Sequence, residues 1–181
     1  MRMLRIVFCS LCMFAAYAGK AQRTFMKVLD PNQINGESLQ QGFQNWSEVT
    51  ALNAGSTAEL SATSNPTPAR PETKCFTFSM RQDKTTYYFK KEMYIGSNLA
   101  SIQFDVVKNT GSQAFETYYR VFMENAYVTA IEEAVSEDGA TMVNISVVPR
   151  RFRYTYWPQN PNGSLGTPVV FGWDNGTNQS W

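Results

Sequence analysis

The 181-residue chain contains no histidine. That absence removes Ser-His-Asp and Cys-His catalysis, histidine-ligated zinc and the usual general base near neutral pH. Cysteine is nearly as scarce: Cys9, Cys12 and Cys75 are the only three, and the first two lie in an N-terminal segment that reads as removable. One remaining thiol makes neither a disulfide within the chain nor a thiolate metal cage, so Cys75 is expected as a free, buried thiol, an intermolecular bridge being the minor alternative. Neither GxGxxG nor GxxxxGKS/T occurs, so phosphate cradling by a glycine-rich loop has no signature. Asp30-Pro31-Asn32-Gln33-Ile34-Asn35-Gly36 begins like a calcium loop, but Ile34 stands where an oxygen ligand belongs, and a turn explains the same residues. The 15 acidic residues offer carboxylate pairs for glycoside hydrolysis, though most are expected as solvated surface. No cofactor, no metal and no catalytic residue is expected.

Long apolar runs are also missing. The longest, Ile6 to Ala18, is 13 residues, well short of the roughly 20 that a membrane-spanning helix needs. It follows Arg2 and Arg5 and precedes small residues, which is the pattern of a secretory signal peptide over residues 1–21, with cleavage after Ala18 or Ala21. A short buried helix is the alternative, and stable membrane insertion is not expected. Removal up to Ala21 takes away Arg2, Arg5 and Lys20 and no acid, so the formal charge falls from +1 to −2. Nothing basic enough is left to predict a nucleic-acid partner.

What remains, residues 22–181, has the size of one domain with a proper core. It reads as mainly β: a small β-barrel or sandwich with one flanking α-helix. Phe25 to Leu29 is a short strand ended by a turn over Pro31 to Gly36, and Trp46 to Leu52 is a second. Asn53 to Lys74, rich in Ser, Thr, Ala and Pro, is a long loop or an extended arm. Phe76, Phe78 and Met80 alternate with polar residues as a half-buried strand. Asp83 to Thr86 caps a helix that carries Phe89 and Met93 on one face and ends at Gly96. Alternating strands follow through Ile102–Val106, Phe115–Ala134, Val143–Val147 and Phe152–Tyr156, with a hairpin turn at Glu137-Asp138-Gly139. Tyr118, Phe122 and Tyr156 share strands with apolar neighbours that face the other way, so one side needs further cover from the helix, a second sheet or another subunit.

The last 28 residues, YTYWPQNPNGSLGTPVVFGWDNGTNQSW, hold three of the four tryptophans. Within them, Tyr154-Thr-Tyr-Trp-Pro-Gln159, Asn162-Gly163 and Gly172-Trp173-Asp174 resemble the C-terminal signature of the Hcp family, the tube protein of the type VI secretion system. Phe25-Met-Lys-Val-Leu-Asp30 with Ile34-Asn-Gly-Glu-Ser38 is similar to its opening strand and turn, Trp46-Ser-Glu-Val49 to its second strand, Phe76 to Lys84 to the strand that leads to its helix, and Glu124-Asn-Ala-Tyr-Val-Thr129 to a later strand. The resemblance spans about residues 24 to 181. It implies a β-barrel with one helix that assembles with itself into hexameric rings, stacks into a hollow tube, meets a spike protein and carries small effector proteins in its lumen, without enzymatic activity. It also implies that the arm over Asn53 to Lys74 reaches a ring contact. Ser56, Glu59 and Arg70 of that arm, with Tyr118, Trp157 and Trp173, are the candidate subunit contacts. Two features depart from the family: the export signal, where relatives are cytosolic before firing, and Gln41-Gly-Phe-Gln44, where many relatives carry a basic or histidine-containing segment.

Two other readings compete. A secreted carbohydrate-binding β-domain would use Tyr154, Trp157 and Trp173 as stacking faces, since aromatic rings offer broad apolar area with polar edges. A fimbrial or adhesin subunit would share the export signal and the β-content, but needs an unpaired terminal strand.

Overall fold

The computed structural model describes residues 22–60, 70–109 and 115–181. The expected signal segment, residues 1–21, lies outside the described residues, as does part of the expected arm, 61–69. In chain order the elements are β1 (Gln22–Asp30), β2 (Asn32–Ile34), β3 (Ser47–Asn53), β4 (Ser56–Thr57), β5 (Glu72–Thr73), β6 (Phe76–Arg81), α1 (Lys84–Ile95), β7 (Asn98–Asn109), β8 (Phe115–Val135), β9 (Thr141–Tyr156), β10 (Val169–Asp174) and β11 (Gln179–Ser180).

Strict alternation closes the barrel. In β6, Phe76, Phe78 and Met80 are fully buried while Thr77 and Ser79 point away, and β9 answers with Val143, Ile145 and Val147. Hydrogen bonding runs β9–β6–β3–β1–β7–β8 and returns from β8 to β9, so six strands form a closed ring without free edges among themselves. Two long strands carry much of the wall: β8 and β9 pair antiparallel from Tyr119 opposite Tyr156 to Val135 opposite Thr141. Asn125 interrupts β8 with φ +49°, in the left-handed region, and its side-chain Oδ1 accepts from Asn98 Nδ2 at 3.0 Å.

The helix forms where its cap is. Asp83 Oδ1 accepts from the Thr85 amide at 2.6 Å, and Gly96, at φ +69°, returns its amide to the Met93 and Glu92 carbonyls. Twelve residues, several of them Thr, Tyr or Phe, are too few for a stable isolated helix. Docking supplies the rest: Phe89 is buried against Phe78, ring centroids 5.5 Å apart, and Phe78 meets Phe104 at 5.0 Å. Truncating a buried phenylalanine such as this costs about 3–5 kcal/mol.

Outside the barrel wall, a second small core forms on the opposite face of β1. Phe25 stacks on Phe43 at 4.4 Å, with Val107, Trp46 and Phe115 around them. The segment Gln41-Gly-Phe-Gln44 is thus anchored by its phenylalanine, and Gly42, at φ +83°, allows the reversal before it.

Two expectations change. Cys75 is exposed, its Sγ 3.8 Å from Thr129 Oγ1, because the alternation that buries Phe76 must turn residue 75 outward. The reversal after β1 takes place at Pro31 alone, and Asn32–Ile34 returns as β2, since Ile34 finds apolar cover against the core. Of the two alternatives for residues 53–74, the described part favours the arm: Ser56 and Thr57 pair with Thr73 and Glu72 as a short two-stranded ladder.

Candidate functional site: a subunit-contact surface

Beyond the closed ring, β9 continues into an outer ribbon. After Tyr156 the chain leaves through Pro158, reverses at Gly163 (φ +85°), and returns as β10 in register with β9, Val169 opposite Tyr156 and Trp173 opposite Phe152. The asparagines of this connection make the turn: Asn162 Oδ1 accepts from Ser164, and the Asn160 amide donates to the Ser164 carbonyl. Because side chains alternate, this ribbon presents two faces of different chemistry.

One face continues the barrel's interior. Tyr119 stacks on Tyr154 with centroids 6.1 Å apart, Tyr154 on Phe171 at 6.4 Å, and Phe152 packs edge-on against Tyr154 at 5.4 Å. Burial, then the neighbouring Tyr119, pushes the Tyr154 phenol up to about 12. Towards the rim this face opens. Tyr156, Val169 and Phe171 are about half exposed or more, at 47%, 65% and 53%, and Phe171, Phe152 and Trp173 line a largely apolar cleft of about 230 Å³ with Ser56, Pro71 and Thr73 of the arm. The arm is tied here by Arg70, whose Nη2 donates to the Asn175 carbonyl at 2.7 Å, and by Thr73 Oγ1 donating to Asn175 Oδ1 at 2.8 Å.

The other face is cationic and aromatic. Arg120 grips Asp105 with two hydrogen bonds, Nε at 2.6 Å and Nη2 at 2.7 Å, while Gln103 and Thr117 also donate to this buried carboxylate. Held so, the Arg120 guanidinium sits 5.7 Å from the Trp157 ring centroid. Next to it, Arg153 lies between Phe122 at 5.7 Å and Trp181 at 4.9 Å. Arg151 also approaches Trp181, at 5.6 Å, and pairs with Asp174 at 2.7 Å and Glu124 at 3.8 Å. The Arg151 hydrogen bond, reinforced by the Gly176 and Thr177 amides, holds the Asp174 carboxyl below the usual carboxylate range.

The six candidate contacts fall into two groups, with one residue apart. Ser56, Arg70 and Trp173 gather around the apolar cleft and its tether. Tyr118 and Trp157 are adjacent, the Trp157 amide donating to the Tyr118 carbonyl at 2.9 Å, and Trp157 belongs to the cationic face. Glu59 stands exposed beyond β4. Phe122, expected to need further cover, lies on the cationic face, and Arg120, Arg153, Phe171 and Trp181 join these faces without having been singled out; the signal in the sequence was the alternation of Arg151 and Arg153 with Phe152 and Tyr154. The aromatic trio of the carbohydrate reading does not share one platform, since Tyr154 and Trp173 pack on the barrel side and Trp157 lies with Arg120 on the other.

These features define a closed six-stranded barrel with one flanking helix, an arm and an outer ribbon with apolar and cationic–aromatic faces. Residues 25–156 match the family described as "Type VI secretion system effector, Hcp", and the chain belongs to that family. No curated relative matches the chain. Among solved structures, one described as a type six secretion system protein superposes with a TM-score of 0.79 at 18% identity, covering 89% of this chain and 100% of that one. Hcp1 from Salmonella typhimurium gives 0.71 at 17% identity over 89% and 99% of the two chains, and a type VI secretion system effector from Yersinia pestis gives 0.66 at 19% over 83% and 98%. At these identities the likeness is one of fold.

Proposed function

We propose that the chain is a tube subunit: it associates with itself into rings, hexameric in number, that stack into a hollow tube, and its role is structural rather than enzymatic. The observation that carries this reading, beside family membership, is the apolar rim of Tyr156, Val169 and Phe171. A monomer in water leaves this rim uncovered, whereas a neighbouring subunit would bury it. The described part of the arm, tethered beside that rim by Arg70 and Thr73, supports this reading as a second candidate contact. Deleting residues 56–71 is expected to leave a folded barrel that no longer stacks; intact tubes from that variant would exclude the arm's role. A spike protein and small effector proteins are the further partners, at the end and in the lumen of the tube.

Residues 1–21 act as a cleaved export signal in this reading, and residues 22–181 as the tube-subunit domain. Cleavage after Ala21 would retain Gln22 and its pairing with Lys108. Among the described residues no helix is long and apolar enough to cross a membrane. The mature protein is then periplasmic or extracellular. N-terminal sequencing of protein recovered from periplasm and medium tests this: a start at Gln22 or Gly19 supports processing, and an intact Met1 in both fractions contradicts it.

A further inference from the structure

The β8–β9 hairpin is electrically polarised along its length. Between Ala126 and Pro149 it carries four carboxylates, Glu132, Glu133, Glu137 and Asp138, and no lysine or arginine; Arg150, Arg151 and Arg153 follow at once. The acids cluster at the turn end, where Glu132, Glu137 and Asp138 are exposed beside Val135, itself 72% exposed. Glu133 is tied to Lys90 at 2.6 Å and Asp138 to Ser136 Oγ, but among the described residues Glu132 and Glu137 have no side-chain partner. The opposite end presents Arg153, exposed and without an ion pair among the described residues, its guanidinium flanked by Phe122 and Trp181. Rings on both sides fix such a guanidinium in orientation and leave its donor edge for a carboxylate.

These two ends cannot meet within one molecule. Thr141 and Arg153 are 12 residues apart on a strand, up to about 40 Å, and β8 and β9 are hydrogen-bonded over that whole span. We infer that they meet between molecules: the acidic β8–β9 turn of one copy docks on the Arg153–Phe122–Trp181 face of the next, a head-to-tail contact that places Glu137 and Glu132 against Arg153. Opposite charges on non-overlapping patches of the same chain fit a heterologous contact, which repeats from copy to copy and either closes a ring or continues a stack. The inference rests on the self-assembling reading above and assigns it a contact.

Charge reversal tests it on the purified processed protein, with sedimentation velocity across concentration and salt, and unfolding midpoints to show that each variant is folded. Arg153→Glu and Glu137→Arg should each raise the concentration for half-assembly about tenfold or more. The double reversal should restore assembly, because the altered turn then meets an altered face. Arg153→Gln and Glu137→Gln provide milder versions should a reversal fail to fold. Single variants that assemble like the parent, or a double variant no better than the singles, overturn the contact while leaving the tube reading intact; a parent that stays monomeric throughout overturns both.

Discussion

The carbonyl oxygen of Trp181 lies where a β-carbon on residue 172 would have to stand. Gly172 is therefore required by space, not by backbone conformation: β11 runs antiparallel beside β10, the Trp181 amide donates to the Gly172 carbonyl at 3.1 Å, and the indole lies against Arg151 and Arg153. Gly172→Ala is expected to displace that segment at a cost of about 1–3 kcal/mol, the usual range for an overpacked site. Denaturant unfolding measures the loss, and a shift of tryptophan fluorescence reports the freed indole.

The Asp105–Arg120 pair makes a second prediction. Arg120→Ala would leave a buried carboxylate facing only Gln103 and Thr117. Removing one partner of a fully buried pair costs about 3–5 kcal/mol, and because Arg120 is about one-third exposed the expected loss is smaller, about 2–3 kcal/mol. Asp105→Asn combined with Arg120→Ala should recover part of it, read from the same unfolding curves.

Acid should loosen the C-terminal turn. Asp174 has its pKa lowered from 3.8 in the folded chain, so its contribution is complete above pH 3.8 and is lost as pH falls below that value towards the folded pKa. Asp174→Asn should flatten this part of the acid transition, followed by the fluorescence of Trp181 and the neighbouring Trp173.

Alkali acts on the barrel. Tyr154 and Tyr88 are both pushed up from 10.0 to about 12, chiefly by burial, with a hydrogen bond to Asp30 adding to the shift of Tyr88. Folding keeps these phenols protonated where the unfolded chain ionises them, so the stabilisation is whole below pH 10 and declines between pH 10 and about 12. Ultraviolet titration should show Tyr154 and Tyr88 ionising late, with Tyr118 and Tyr119 also raised from 10.0 by burial, and Tyr154→Phe should remove one late step.

Periodicity made most of the barrel legible. Phe76-Thr-Phe-Ser-Met80 alternates so plainly that its burial follows from the sequence, and Asp83 and Gly96 mark both ends of the helix by their capping chemistry. The same alternation, carried one residue back from Phe76, turns Cys75 outward, against the expectation of a buried thiol. The two-stranded arm was only half legible, because Ser, Thr and Pro are compatible with either loop or edge strand until a partner is known. The cationic–aromatic face was hidden for a different reason: Arg153, Phe122 and Trp181 come from three separate strands or segments, and pairing register, not local pattern, brings them together. Gly172-Trp173-Asp174 was legible as a motif before its reasons were: space for Trp181, packing against Phe152 and the core, and a carboxylate for Arg151.

Self-assembly is read most simply by negative-stain electron microscopy of the processed protein. Rings with six-fold symmetry that stack end to end as concentration rises are the expected result. Uniform monomers at every concentration, or linear polymers without rings, would contradict it.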